Sequence, residues 1–498
     1  MNKRLILAIA LAFLVMMLWA RLVEKFYPIE RQEVSKKIPK PPPVLISPKV
    51  SSKEEPESLV ATMSHNCELV FSLPFACLKR IKFLDFNQHV FDLGHGFCLG
   101  ERDMDFTQEK LTSKEAIFVH QDEKKRITKH FDFSNPNFVI NLNIEIENLS
   151  EQPLSYPSKL ILGEVSLNSK GLDSRFKEVF IKQPDSILRL SPSKGSKIQH
   201  SGEFFGFRDR YFCAIIIPIA FPENLMISRL SRTKSQLVLT RPTINLQPNQ
   251  IGHLEYRIYV GPQKAGLLQS FDARAKEIIY YGFFDPIAKL LMNILRFFYR
   301  LVHNWGLAII ILSIFIYIIL FPLSLKQMRS MKEMQILQPK IEELRRVYKD
   351  NPQRLNKEVL ELYRRHKINP LGGCFPILLQ IPVFFSLYQA LMRSIELKGA
   401  NFLWIKDLSL PDQLVASPEI NILPILMAIT MFLQQRFSMM LTTSSSEQQK
   451  LMSFVFPIIF GAIFYRMPSG LVLYWFINTL LMFVYQTRMR LANEPIKH

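Results

Sequence analysis

Long apolar runs occupy the sequence after residue 286, and they constrain the fold more than any other feature. The clearest run is "WGLAIIILSIFIYIILFPL", from Trp305 to Leu323, which is long enough to cross a bilayer as a helix. Four further runs follow it, at residues 374–392, 420–437, 451–465 and 471–485. With an apolar run at the start of the chain, the pattern predicts a polytopic α-helical membrane protein with six spans.

The first run, within "MNKRLILAIALAFLVMMLWARLVEK", has a basic start and is close to the lower length limit for a span. A cleaved secretory signal is the alternative interpretation. No small-x-small cleavage site follows the run, and Trp19, Arg21 and Lys25 are typical of an interfacial anchor. We therefore expect an N-terminal membrane anchor over 1–23, with the following residues exported.

The region between the two apolar zones has the pattern of a soluble domain. Residues 24–60 are rich in Pro, Ser and charge, which predicts a semi-rigid linker. From 61 to 270, short runs such as "FVINLNIEIENL" and "HLEYRIYVGP" alternate between apolar and polar residues and are bounded by turn residues. This alternation predicts a large antiparallel β-sandwich domain.

Four of the five cysteines lie in this exported domain: Cys67, Cys77, Cys98 and Cys213. An oxidising compartment permits disulfides, but an even cysteine count in a large domain does not establish them. A disulfide framework and buried free thiols both remain open at this stage. The fifth, Cys374, has no second ligand at metal-binding spacing and is expected to serve packing.

Two basic helical regions flank the span at Trp305. Residues 271–304 place Lys289, Arg296 and Arg300 among apolar residues, which predicts an interfacial amphipathic helix. Residues 326–368 predict a helical hairpin, because Pro339 suits a helical first turn and "NP" at 351–352 supplies a cap and first-turn pair.

The charge distribution orients the chain. Between residues 326 and 367, Lys and Arg outnumber Asp and Glu by roughly two to one, which places the hairpin and both termini, including a short tail at 488–498, in the cytoplasm. The formal net charge of +19 is partly a consequence of this topology. Contacts of the basic surface with anionic lipid or nucleic acid are both open.

Ordered matches over residues 300–487 resemble the YidC/Oxa/Alb family of membrane protein insertases, in the Gram-negative YidC form with a large periplasmic domain. The matching stretches are "FPLSLKQMRSMKEMQILQPKI", "INPLGGCFPILLQIPVFFSLYQAL", "FLWIKDLSLPD", "ILPILMAITMFLQQ" and "FPIIFGAIFYRMPSGLVLYW". The resemblance implies a five-helix core at 305–487 that encloses a wet groove, open to the cytoplasm and to lipid. Peptide and charged groups crossing hydrocarbon without partners cost several kcal/mol, roughly, and such a groove shortens that crossing.

Polar residues within the spans predict the groove lining, since uncharged polar groups in a bilayer face protein or water. The candidates are Ser313, Tyr317, Gln435, Tyr474 and Asn478. Each one taken singly is as well explained as a contact between helices. Tyr474 also matches a family position in "SGLVLY".

The resemblance also implies a surface where a substrate helix leaves the groove, formed by Ile381, Pro382 and Phe384 in the third span and Ile463 in the fifth. The alternative for Pro382 is a kink that fits its helix to its neighbours. One position departs from the family, which typically has an Arg five residues before the Pro that is here Pro322; this chain has Tyr317. We expect Arg393 and Arg466, at the periplasmic ends of two spans, to supply positive charge instead.

The function predicted is insertion of membrane proteins, alone or with the Sec translocon, without a cofactor, a metal or an enzymatic step. Implied partners are nascent membrane proteins, anionic lipids and, through the hairpin, the ribosome and the signal recognition particle receptor, with no specific nucleic acid. A secondary transporter would require charged residues at mid-membrane and related halves. An intramembrane enzyme would require a convergent catalytic pair. Neither signal is evident in the sequence, so these classes stay as alternatives.

Overall fold

The computed structural model describes residues 58–63, 67–86, 88–100, 104–156, 159–167, 176–193, 196–219, 222–349, 351–366, 375–415, 420–440 and 447–493. The predicted anchor at 1–23, nearly all of the linker, Cys374 and the end of the tail lie outside these residues. The chain divides into two compact units, residues 1–283 and 284–498, which are considered separately.

The first unit consists mainly of antiparallel strands. In chain order they are β1 Ser58–Met63, β2 Cys67–Ser72, β3 Cys77–Phe83, β4 His89–Gly96, β5 Cys98–Leu99, β6 Thr107–Leu111, β7 Glu115–Gln121, β8 Lys125–Asp132, β9 Val139–Asn148, β10 Leu154–Tyr156, β11 Lys159–Ser166, β12 Glu178–Lys182, β13 Ile187–Leu190, β14 Ser196–Gly202, β15 Phe204–Arg208, β16 Phe212–Pro218, β17 Glu223–Arg229, β18 Lys234–Thr240, β19 Ile244–Leu246 and β20 Ile251–Pro262. A short helix, α1 Ala265–Phe271, and a 3-10 turn at Ala275–Ile278 follow them.

These strands form a nine-stranded sheet in the order β13-β12-β15-β16-β20-β9-β8-β7-β6, with smaller sheets ordered β14-β17-β18-β11-β5, β1-β2-β3-β4 and β10-β19. Strand β9 shows how the alternation places side chains. Leu142, Ile144 and Ile146 are buried, while Asn143 and Glu145 between them are exposed. Successive strand residues point to opposite faces, so one face of β9 joins the core.

Aromatic side chains join the β1–β4 sheet to the nine-stranded sheet. The Phe71 ring of β2 lies 5.4 Å from Phe118 and 5.2 Å from Phe131 of the larger sheet, and Phe83 of β3 stacks on Phe212 at 4.3 Å. Face-to-face packing of antiparallel sheets across such a core is sandwich packing, as the alternation predicted.

A disulfide between Cys77 and Cys98 answers the question that the cysteine count left open. It joins β3 to β5, which belong to different sheets. Cys67 and Cys213 are free and buried, and burial raises the pKa of the Cys67 thiol to about 12. These two thiols are therefore poor nucleophiles in this fold.

Lys129 of β8 reaches the same junction from the nine-stranded sheet. Its Nζ donates hydrogen bonds to the carbonyls of Ala76, at 2.5 Å, and Phe97, at 2.8 Å, the residues that precede the two disulfide cysteines. Both residues have positive φ, 49° and 58°. The side chain is fully buried, and desolvation lowers the pKa of Lys129 to about 7. One lysine and one disulfide thus connect three sheets.

Lys129 should make the stability of this unit depend on pH. Because its pKa is about 7 in the folded chain and 10.5 when unperturbed, the unfolded chain binds more protons between these values. The free energy of unfolding should therefore rise with pH between about 7 and 10, by up to ~1.4 kcal/mol per pH unit from this group. Pulse proteolysis in urea at pH 7.5 and 9.5 measures this change in the free energy of unfolding. Lys129→Met should flatten the slope, and an equal slope in the two proteins would refute the assignment.

The second unit is helical. Its helices are α2 Asp285–Val302, α3 Trp305–Ile336, α4 Gln338–Val347, α5 Pro352–Arg365, α6 Phe375–Arg393, α7 Ile422–Met440, α8 Glu447–Phe464 and α9 Ser469–Asn493. Among the described residues, two segments are long and apolar enough to cross a membrane, Trp305–Leu323 and Ser469–Arg488. Shorter apolar segments lie in α7, Ile422–Phe437, and in α8, Ser453–Phe464. Six spans were predicted, and these segments by themselves do not establish that number.

The helices α3, α6, α7, α8 and α9 form a bundle in which α9 packs against α3, α6 and α7. We call the end where α3 and α9 begin the far end, and the opposite end, where α3 leads into α4 and α5, the hairpin end. α3 runs without interruption to Ile336, so residues 326–336 extend the helix that begins with the apolar run at Trp305. They do not belong to the hairpin. In the hairpin, the Asn351 side chain caps α5 by accepting from Arg354 N at 3.1 Å.

Helix α2 has two apolar faces. Ala288, Leu291, Met292 and Leu295 are buried, in a helix that packs against α3 and α6. Leu290 and Phe297, by contrast, are 59% and 51% exposed. An exposed apolar stripe on a helix that also carries Lys289 and Arg300 is the arrangement expected at a membrane interface.

Candidate functional site

Helix α9 presents a polar face inside the bundle. Tyr474 and Asn478 are one turn apart on the same side of the helix, and Gln486 lies two turns beyond Asn478, about 80° further around the helix. Tyr474 is fully buried, and Gln486 is 9% exposed. Because α9 packs against α3 and α7, this face lies beside the helices that carry Tyr317 and Gln435.

Near the far end, the polar groups satisfy one another. Gln380 Nε2 of α6 donates to the Tyr474 hydroxyl at 2.8 Å, and Asn478 Nδ2 donates to the Tyr474 carbonyl at 2.8 Å. Tyr474 lies only about 8 Å along α9 from its first residue, at 1.5 Å per residue. This part of the bundle is a closed polar contact between two helices.

Further toward the hairpin end, three buried polar atoms have no hydrogen-bond partner among the described residues: Tyr317 Oη, Gln435 Oε1 and Gln486 Oε1. They lie about 18 Å along α3, about 20 Å along α7 and about 25 Å along α9, counted from the far end of each helix. Buried polar atoms are nearly always hydrogen-bonded in folded proteins, to protein or to water. These three atoms are therefore candidate positions for bound water or for a polar ligand.

Ser313, also predicted to line the groove, is placed differently. It is fully buried, and its hydroxyl donates to the Ile309 carbonyl of its own helix at 2.8 Å. A short hydroxyl side chain can reach the preceding turn in this way. Ser313 therefore has its hydrogen bond within α3, unlike Tyr317 one turn later.

An aromatic cluster joins α6, α8 and α9 close to the predicted exit surface. The Trp475 ring lies 4.9 Å from Phe384, 5.7 Å from Phe460 and 5.5 Å from Phe464. Phe384 of α6 also contacts Phe464 of α8, at 6.3 Å. The cluster fills the space where α6 and α8 approach each other.

The other predicted exit residues lie on these two helices. Ile381 is 37% exposed and Ile463 is 52% exposed, so both present apolar surface to the outside of the bundle. Pro382 lies inside α6, where it removes one backbone donor, and Ser386 Oγ donates to the Pro382 carbonyl at 2.6 Å. Together these residues form an apolar outer surface beside the aromatic cluster.

The two predicted distal cations are at the far end. Arg393 is half-buried at the last residue of α6, and Arg466 is exposed just after α8. Close to Arg393, Glu396 accepts from Arg296 Nε of α2 at 3.0 Å and from Arg296 Nη2 at 2.8 Å. This ion pair fixes α2 to the segment that follows α6.

Sequence reasoning did not place Gln380 and Gln486 in the lining. A signal for Gln486 was present, because it is an uncharged polar residue in the last span, like Tyr474 and Asn478. The pairing of Gln380 with Tyr474 depends on how α6 rotates against α9, which periodicity does not specify. These polar side chains of the bundle are uncharged donors and acceptors, which suit the solvation of polar chain segments.

A strand-rich unit followed by a bundle of apolar helices, two of which contain segments long enough to cross a membrane, is the arrangement of a helical membrane protein with a large β-rich domain. The family described as 60Kd inner membrane protein matches residues 297–494, and the YidC periplasmic domain matches residues 101–294. The chain belongs to the YidC family of membrane protein insertases.

Relatives named membrane protein insertase YidC include a Geotalea daltonii protein, 37% identical over 366 residues, which cover 71% of this chain and 67% of the relative. A Geobacter sulfurreducens protein is 34% identical over 400 residues, covering 76% and 72%. A solved structure, described as an active YidC insertase crystal structure with the first transmembrane domain resolved, is 19% identical with a TM-score of 0.42, over 87% of this chain and 93% of that chain.

Proposed function

We propose that this chain moves transmembrane segments of nascent membrane proteins into the bilayer through a water-filled recess between the bundle helices, open at the hairpin end and lined by Tyr317, Gln435 and Gln486. The observation that carries the proposal is that Tyr317 Oη, Gln435 Oε1 and Gln486 Oε1 are buried and have no hydrogen-bond partner within the described part of the chain. In hydrocarbon such atoms would each be costly, by about 1–3 kcal/mol, so they persist where water or a substrate can reach them. A polar tail entering the recess replaces that water.

The recess acts by shortening the apolar distance. A substrate tail that is solvated to the level of Tyr317 has only the remaining part of the bundle, about 18 Å along α3, left to cross. The substrate's apolar helix then leaves sideways, between α6 and α8, past Ile381, Phe384 and Ile463. Transfer into lipid is favourable for that helix because its apolar surface leaves water. No nucleotide is required in this scheme.

The proposed topology has six spans, with the anchor at 1–23 as the first, both termini and the hairpin in the cytoplasm, and the β-rich unit in the periplasm. The Cys77–Cys98 disulfide supports an oxidising compartment for that unit. Arg345, Arg346, Arg364 and Arg365 at the ends of α4 and α5 support a cytoplasmic hairpin. We propose the Sec translocon, the ribosome and the signal recognition particle receptor as partners, the last two through the hairpin, and anionic lipids for the basic surfaces.

Arg393 and Arg466 are proposed to attract acidic tails from the far end, because Tyr317 offers a hydroxyl but no charge. With Arg393→Gln and Arg466→Gln combined, insertion of a substrate with an acidic tail should fall several-fold more than that of its neutral-tail pair. Tyr317→Phe should slow both substrates alike. Insertion of paired substrates in vesicles measures both effects. If the double Arg variant loses the same amount of insertion with the acidic and the neutral tail, the two arginines do not attract acidic tails.

The function itself is tested with the purified full chain in vesicles that contain no other protein. A short single-span substrate is added, and insertion is scored by protection of its far tail from protease. Protection should require the chain and proceed without nucleotide. Empty vesicles and vesicles with an unrelated polytopic protein are the controls, and equal protection in them would refute the proposal.

A further inference from the structure

Residues 394–415 together with 420–421, here called the far-end segment, connect several helices of the bundle. Phe402 lies on Gly306 at the start of α3, so closely that a Cβ built on Gly306 would come within 2.1 Å of the ring. The carbonyls of Leu410 and Leu408 in this segment accept hydrogen bonds from the backbone N–H groups of Ser469 and Gly470 in α9, at 2.8 and 2.9 Å respectively. These contacts join the starts of α3 and α9.

The same segment reaches α7 and the end of α8. Asn421, directly before α7, donates from Nδ2 to the Tyr465 carbonyl at 2.8 Å. The backbone N–H of Gln413 donates to Asn421 Oδ1 at 2.9 Å. Phe402 and Ile405 form a short antiparallel bridge within the segment. The segment therefore lies across the far end of the bundle.

Asp412 holds this arrangement together. Its Oδ2 accepts from Ile422 N at 2.8 Å and Leu423 N at 2.9 Å, in the first turn of α7, and from Trp404 Nε1 at 3.2 Å. The residue is 3% exposed. A carboxylate is well suited to this position, because it satisfies backbone donors that the helix leaves free and interacts favourably with the helix dipole. One buried side chain thus links both halves of the segment to a bundle helix.

We infer that Asp412 is a positioning residue that keeps the far end of the recess closed against ions. The inference rests on the proposed function in one respect, that water enters the recess from the hairpin end. Water that reaches Tyr317 leaves only the far part of the bundle and the far-end segment as a barrier to ion flow. Without the Asp412 carboxylate, Trp404 and the first turn of α7 lose their common acceptor, and the segment loosens where it meets α7.

The test is ion leakage through the purified full chain in vesicles that carry a potassium gradient and a trapped pH-sensitive dye. Asp412→Ala should raise the proton leak about tenfold or more over wild type, since it removes a charged acceptor shared by three donors. Asp412→Asn keeps an acceptor oxygen and should leak much less than the Ala variant. The matched control is Asp407→Ala in the same segment, whose carboxylate accepts from Ser409 N within its own turn, at 2.8 Å; its leak should equal that of wild type.

Trp404→Phe provides a second measurement that leaves the cap of α7 intact. Its proton leak should lie between those of wild type and Asp412→Ala. If the Asp412→Ala variant does not reach the membrane, the leak of Trp404→Phe tests the inference instead. Leak rates equal to wild type in the Asp412 and Trp404 variants would overturn the inference, as would a wild-type leak as high as that of Asp412→Ala. Insertion is scored in the same vesicles, so loss of insertion by the wild-type chain would count against the proposed function alone.

Discussion

Replacing the three side chains that line the proposed recess together, in a Tyr317→Phe, Gln435→Leu and Gln486→Leu variant, should slow insertion of a substrate with a polar tail by about tenfold or more. Loss of ~1.4 kcal/mol of solvation for the crossing tail is enough for a tenfold effect. The same change should stabilise the bundle, because Tyr317 Oη, Gln435 Oε1 and Gln486 Oε1 are buried and none of the described residues offers them a hydrogen bond. Insertion and stability should therefore change in opposite directions, which a damaged fold would not produce.

Insertion rates in vesicles and the thermal midpoint of the detergent-solubilised chain measure these two effects. Ser313→Ala is the matched control, because Ser313 is a polar residue on α3 whose hydroxyl binds the Ile309 carbonyl. Its insertion rate should stay within about twofold of wild type, since such back-bonding contributes little to a helix. Normal insertion by the triple variant would remove these residues from the proposed pathway.

Removing the Cys77–Cys98 disulfide should lower the free energy of unfolding of the β-rich unit by about 3 kcal/mol, given the sequence separation of 21 residues that it closes. The bond also holds together β3 and β5 of different sheets at the point where Lys129 binds both flanking carbonyls. A Cys77→Ser, Cys98→Ser variant of the full chain should therefore be cleaved at lower urea concentrations in pulse proteolysis than wild type.

A reducing agent distinguishes this effect from ordinary core damage. It should shift the urea midpoint of wild type toward that of the double variant and leave the double variant unchanged. Cys67→Ala replaces a buried free thiol and should keep the full response to the reductant. Alkylation of the denatured wild-type chain should modify two more thiols after reduction than before. A midpoint that does not respond to reductant would show that the disulfide contributes no stability.

Local patterns in the sequence were sufficient for the classes of element. Strand alternation in β9 and the apolar run from Trp305 follow from side-chain periodicity and from the transfer of apolar surface out of water, which act on neighbouring residues. The first-turn position of Pro339 and the helix cap at Asn351 are equally local. The residue at which α3 ends was not predictable in this way, because the polar residues up to 336 are compatible both with an extension of the span and with the first part of the hairpin.

The tertiary structure alone decided which groups meet. Four cysteines allow three complete pairings, and the choice of Cys77 with Cys98 depends on which sheet edges come together. Ser313 and Tyr317 were equal candidates by polarity, yet a serine hydroxyl reaches its own helix backbone whereas the longer tyrosine side chain carries its hydroxyl into the bundle, where Oη has no partner among the described residues. The hydrogen bond from Gln380 to Tyr474 likewise depends on how α6 is rotated against α9. Such pairings depend on the packing of helices distant in sequence, and polarity and spacing within one helix carry no information about that packing.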